Sequence, residues 1–173
     1  MLPNVRPGRS SLPCPADALI IGLHRAGSEK SSIDPGSTVG FMAVNVSKMF
    51  ITVHDPDEAL GFYRDALGLE VRQDVENNGF RWVTVGAPGQ DVDIVLSLPH
   101  GGRSPAEGDA LLALVTQGAM QAAIFSVDDL EATFDKLVAS GAEVLEEPTD
   151  QFWGVRDCAF RDPSGNLVRI AQA

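Results

Sequence analysis

Two stretches of this chain repeat one design. VHDPDEALGFYRDALGLEV begins at Val53, VDDLEATFDKLVASGAEV begins at Val127, 74 positions later, and the two align with a single gap. A duplicated unit constrains the fold more than any motif, because each copy is one supersecondary unit that cannot bury its apolar face alone. In the first copy Asp55 stands as a helix N-cap, Pro56 fits the first helical position and Glu58 follows three residues after the cap. Ala59, Leu60, Phe62, Tyr63, Ala66 and Leu67 then form a stripe at helical spacing that Gly68 ends. In the second copy Asp128 is expected to cap, Glu131 stands three later and Gly141 ends the helix. Each helix follows an apolar strand, KMFITV or MQAAIFSV. Each precedes three more: LEVRQDV, FRWVTVG and VDIVLSL in the first copy, AEVLEE, WGVRDCAFRD and LVRIAQ in the second. The turns APGQD and DPSGN separate the last two strands of each set.

The expected fold class is therefore α+β, two tandem βαβββ modules forming an open barrel around a cavity. A helix covers one face of each small sheet, and the other faces must be buried by turning inward. Residues 44–99 form the first module and 119–173 the second. The connector 100–118 starts in the polar run HGGRSPAEGD and offers the short helical stretch ALLALVTQ. Strand alternation assigns Met49, Ile51 and Val53 to the helix side and Lys48, Phe50 and Thr52 to the cavity. The same rule sends inward Trp82, Thr84, Asp93, Val95, Ser97, Ile124, Ser126, Asp157, Ala159 and Arg169. Cys158 falls on the helix side.

FYRDALGLEV after a capped helix start, FRWVTVGAPGQ, and the closing WGVRDCAFRDPSGNLVRI together resemble the vicinal oxygen chelate superfamily, the glyoxalase, bleomycin-resistance and dioxygenase domains. The resemblance covers residues 44 to 173 and implies the glyoxalase/bleomycin-resistance type of open barrel. Metalloenzymes of that family place a His on the first strand of a module and a Glu on its last. By the resemblance, the first-strand positions here are Lys48 and Ala122, and the last-strand positions are Arg169 and, by repeat symmetry, Asp93. One of these four can bind a metal, and an arginine cannot deprotonate to do so. No metal and no cofactor are therefore expected. A small-molecule ligand is expected instead, among the cavity-facing candidates Lys48, Phe50, Thr52, Trp82, Asp93, Ser97, Ser126, Asp157 and Arg169. Phe50 and Trp82 either fill space or serve as a ligand platform, and Arg169 is expected to pair with Asp93. Trp153 and Arg156 read as a packed lid edge.

Two other functions stay open. A glyoxalase-like lyase or isomerase would use Asp93, Asp157 or His54 as acid or base, and a structural or regulatory module would fill its cavity with its own side chains. No catalytic residue is assigned. His54 reads as a turn residue, His100 lies in the connector and His24 in the N-terminal extension. No pair of histidines has ligand spacing on one element. The glycines of GSTVG lack the preceding strand a phosphate loop needs.

Thirteen Lys and Arg against 24 Asp and Glu leave a net charge of −11, which speaks against nucleic acid and an anionic membrane surface. Residues 1–41, rich in Pro, Ser, Gly and Arg, read as a flexible extension, with Met42 as an alternative start. Two cysteines, Cys14 and Cys158, in unlike segments suggest a reducing cytoplasm rather than a disulfide framework. No stretch has the length of a membrane span. By the resemblance, a homodimer is expected.

Overall fold

The computed structural model describes residues 44–173 apart from Asn78. The extension and its alternative start at Met42, and with them His24 and Cys14, lie outside the described residues. The chain runs β1 (Lys48–Thr52), α1 (Pro56–Leu60), β2 (Glu70–Asn77), β3 (Phe80–Gly86), β4 (Asp93–Ser97), α2 (Pro105–Thr116), β5 (Gln121–Val127), α3 (Leu130–Ala139), β6 (Glu143–Asp150), β7 (Arg156–Arg161) and β8 (Leu167–Gln172). Each half makes a four-stranded sheet, in the orders β1-β4-β3-β2 and β5-β8-β7-β6. The first strand of each lies parallel to the last, and the remaining pairs are antiparallel. This is the α+β architecture of paired βαβββ modules, with sheets that do not close. No helix of the described residues is long and apolar enough to cross a membrane.

Local chemistry sets the helices. The Asp55 carboxylate accepts from the backbone N–H of Asp57 and Glu58. After Leu60 the helix widens into a π-helical turn, Gly61–Ala66, in which Leu67 N–H reaches back five residues to Phe62 C=O. The wider turn carries Phe62, Tyr63 and Ala66 into the core. In the second module the cap is Asp129, not Asp128: its carboxylate accepts from Ala132 N–H, placing the acceptor over the third residue of the helix. The connector is more helical than ALLALVTQ alone. Ser104 and Glu107 form a reciprocal capping box and Pro105 occupies the first turn, so α2 begins inside the polar run.

The helix-facing strand residues and the helices share one core. Ile51, Val53, Val83, Val85, Ile94 and Leu96 from the first sheet join Cys158, Phe160, Val168 and Ile170 from the second, with Leu60, Tyr63, Leu130 and Leu137 from the helices. The turn DPSGN ties the modules together across this core. The Asp162 carboxylate, 4 % exposed, accepts from Ser164 N–H and Asn166 N–H within the turn and from the Asn166 amide. From the other module it accepts the Tyr63 hydroxyl at 2.7 Å. Asn166 Nδ2 also donates to Thr52 C=O, and Ser164 Oγ accepts from His54 N–H. Gly165 has φ +103°, and a Cβ there would stand 2.6 Å from Val115 C=O, so only glycine lets α2 pack on the turn.

Tyr63→Phe removes one donor from this buried hub and is expected to cost about 1–2 kcal/mol in urea unfolding. Asp162→Ala orphans four donors and is expected to cost more than Tyr63→Phe; equal losses would mean that the carboxylate does not organise the turn.

Candidate functional site

Both sheets present their second face away from the core, and this face holds the candidate residues. On the first sheet Lys48 and Asp93 are directly paired across β1 and β4, and Lys48 Nζ donates to Asp93 Oδ2. Phe50 meets Trp82 edge-on with ring centroids 6.2 Å apart, and the tilted Phe80 ring lies 6.2 Å from the same indole. Phe50 is nevertheless 57 % exposed, so the aromatic group is a surface rather than a filled interior. Thr84 and Val95 pair beneath it and are buried. The Thr84 hydroxyl is a buried polar group with no hydrogen-bond partner among the described residues. Thr52 and Ser97 face each other at the end of β1 and β4, both half-buried.

On the second sheet the centre is Arg169. Nε and Nη2 donate to Asp157 Oδ2 and Oδ1 at 2.9 and 2.7 Å, and Nη2 also donates to Glu146 Oε2 at 2.8 Å. Gln151 Nε2 donates to both carboxylates, closing a four-residue network. The Arg169 guanidinium beside Asp157, helped by Gln151, holds this carboxyl below the usual carboxylate range against the opposing effect of burial. The same contacts raise the Arg169 pKa. Arg169 also walls a hollow of about 190 Å³ whose other residues are Gln121, Ala122, Ala123, Ile124 and Leu167. Ser126 is exposed at the far end of β5.

The expected pair between Arg169 and Asp93 is not formed. Each cation is met within its own sheet: Asp93 is the neighbour of Lys48, while Asp157 lies on β7, diagonally across from Arg169 on the same face. The register also corrects the repeat symmetry. Thr52 pairs with Ser97 and Ser126 with Ala171, so two residues earlier Arg169 corresponds to Val95, and Asp93 corresponds to Leu167. By the same register Gln121, paired with Leu167 ahead of a bulge, corresponds to Lys48, while Ala122 packs against the core, so the four positions then read Lys48, Val95, Gln121 and Arg169.

These residues do not fit a divalent cation. Two are cationic, one is apolar and one is an amide, and the carboxylates nearby are committed to Arg169 and Lys48. Among the described residues no group of three or more His, Cys, Asp or Glu could hold a metal ion.

Other candidates lie elsewhere. His54 Nε2 is 3.1 Å from Thr116 Oγ1, whose proton goes to Leu112 C=O, so the imidazole donates and joins the β1–α1 loop to α2. His100 pairs with Asp109 in the connector. Cys158 is fully buried on the helix side, and burial pushes its thiol up to about 11, away from nucleophilic chemistry. Phe152 and Trp153 form an exposed T-shaped pair at the β6–β7 tip, while Arg156 binds Glu131 and Asp150. A larger cleft of about 610 Å³ opens on the helix side, lined by Phe62, Glu143 and Arg161 among others, and none of the candidate residues lines it.

A family model described as the Glyoxalase/Bleomycin resistance protein/Dioxygenase superfamily matches residues 38–170. The uncharacterized protein YurT of Bacillus subtilis is 32% identical over 131 residues, 76% of this chain and 99% of YurT. Among solved structures, that of UcmS2 has a TM-score of 0.69 at 29% identity, covering 75% of this chain and 98% of UcmS2. That of TnmS3, an antibiotic binding protein from Streptomyces sp. CB03234, has a TM-score of 0.60 at 24% identity, covering 76% and 98%.

Asp157 has a folded pKa below its unfolded value of about 3.9, so the stability it contributes is present above that value and lost as pH falls through the folded one. Asp157→Asn is expected to flatten the acid limb of a urea-unfolding profile below about pH 4. An unchanged limb would show that the Arg169 contact does not discriminate between the ionised and protonated forms.

Proposed function

Because the chain belongs to the glyoxalase/bleomycin resistance protein/dioxygenase superfamily, we propose that it binds a small molecule on its inward sheet faces without a metal ion. The observation that carries this reading is the Arg169 network. At a position where a metalloenzyme of the family holds a carboxylate, this chain has a cation that cannot be a ligand and has supplied it with Asp157 and Glu146. Lys48, neutralised by Asp93, repeats the theme on the other sheet. What remains on these faces is an aromatic surface, Phe50, Trp82 and Phe80, with a few fixed polar groups, a lining suited to a small ligand. TnmS3, an antibiotic binding protein, has the same fold, so the fold accommodates such a role.

The functional unit in this reading is a homodimer. Phe50 and Ile124, both on inward faces and 57 % and 70 % exposed, are the kind of apolar surface a second copy covers. The acidic chain and its two widely separated cysteines fit a cytoplasmic protein that does not bind nucleic acid.

Light scattering at micromolar concentration is expected to give twice the 18.4 kDa chain mass. Titration calorimetry with zinc, nickel and manganese is expected to show no stoichiometric binding. A monomer would remove the dimer from this reading. Stoichiometric metal uptake abolished by Asp93→Ala or Asp157→Ala would remove its metal-free character.

A further inference from the structure

The Arg169 guanidinium has five N–H groups in a rigid plane. Three are engaged, one on Nε and two on Nη2, by Asp157 and Glu146. The two on Nη1 have no partner among the described residues. Gln151 fixes both carboxylates, so the plane of the guanidinium is held before anything binds. The arginine stands at the wall of a hollow of about 190 Å³, and Ala122, Ala123, Ile124 and Leu167 give most of the rest of that wall an apolar character. An oriented pair of donors beside apolar walls complements an acceptor oxygen carried on an apolar body.

Charge narrows the class further. Asp157 and Glu146 together outweigh Arg169 by one negative charge, so a carboxylate or phosphate approaching Nη1 meets two carboxylates behind it. A neutral carbonyl oxygen accepts the same hydrogen bonds without that repulsion. We propose that Arg169 Nη1 is the polar anchor of the ligand site, donating to the neutral ketone or amide oxygen of an otherwise apolar ligand seated against Ala122, Ala123, Ile124 and Leu167. The proposal rests on the small-molecule reading above and adds to it the chemistry of the ligand and the atom that reads it.

Three probes of similar size and shape separate the possibilities: 2-acetylnaphthalene, 2-ethylnaphthalene and 2-naphthoate, titrated into the full-length protein. The ketone is expected to bind about tenfold more tightly than the hydrocarbon, as one charge-assisted hydrogen bond would give, and more tightly than the anion. The infrared carbonyl stretch of bound, ¹³C-labelled ketone is expected to fall below its position in alkane. Arg169→Lys keeps a cation for Asp157 and Glu146 but loses the fixed fork. It is expected to abolish the preference for the ketone, so that ketone and hydrocarbon bind alike. Equal binding of ketone and hydrocarbon, with an alkane-like stretch in the wild type, would overturn the arginine anchor and leave the ligand-binding reading standing. Preference for the naphthoate would overturn the charge argument and with it the proposal. Binding of none of the three would overturn the proposal and the hollow as a ligand site together. The infrared measurement on the wild-type protein decides the matter if the lysine variant does not fold.

Discussion

A buried carboxylate that belongs to one module and is satisfied partly by the other governs the arrangement of this protein. Asp162 accepts four hydrogen bonds, three inside its own turn and one from Tyr63 on the π-helical turn after α1. An ionised carboxylate withdrawn from water requires such a set of donors, since burying it unpaired costs several kcal/mol. The requirement runs both ways, because burial and the adjacent Asp162 carboxylate hold the Tyr63 phenol in its protonated, donating form. Asn166 adds a bond to the end of β1, so the turn grips both a helix and a strand of the opposite module. The joint is polar and directional, and it sits within an apolar core that by itself would specify little about angle.

With the modules held this way, strand alternation determines what is left over. The branched and aromatic residues on one face of each strand enter the common core, and everything chemical falls on the other. That division was legible in the sequence, since Ile51, Val83, Ile94, Phe160 and Ile170 alternate with Phe50, Trp82, Asp93, Ala159 and Arg169. The repeat, the βαβββ order and the capped start at Asp55 were legible for the same reason: they rest on local spacing. Asp129 replaced Asp128 because neighbouring acidic residues offer the same signal and only the backbone entry angle chooses between them. The start of α2 was hidden because Gly101, Gly102 and Gly108 mask a capping box that spans only Ser104 to Glu107.

Partnerships across strands were harder to read. Position along the chain pairs Arg169 with Asp93 of the other module, yet a charge is neutralised most cheaply by the nearest carboxylate on its own sheet. Asp157 was available two residues along the neighbouring strand. Glu146 was missed because β6 is an edge strand interrupted by register shifts on either side of this residue, so simple alternation did not aim it. Pro148, a residue that edge strands tolerate, was the available hint of that irregularity. The exchange of Val95 for Asp93 as the counterpart of Arg169 came from the same limit: a repeat alignment counts residues, whereas hydrogen bonding counts pairs. Electrostatically the result is a pair of cations, each held by carboxylates of its own sheet, at positions where metalloenzymes of the family place ligands.

The strand order carries a consequence for how the chain is made. In each sheet the last strand is inserted between the first and the third, so β5 stays without its neighbour until β8 is present. During synthesis from the N-terminus the first half can complete its hydrogen bonding once Ser97 has emerged. The second half cannot do so until Gln172 has been added. A nascent chain therefore holds a finished first module beside an unfinished second one from Ser97 until Gln172. Loss of β8 removes an interior strand of the second sheet, and the Asp162 joint then leads into a module that cannot form.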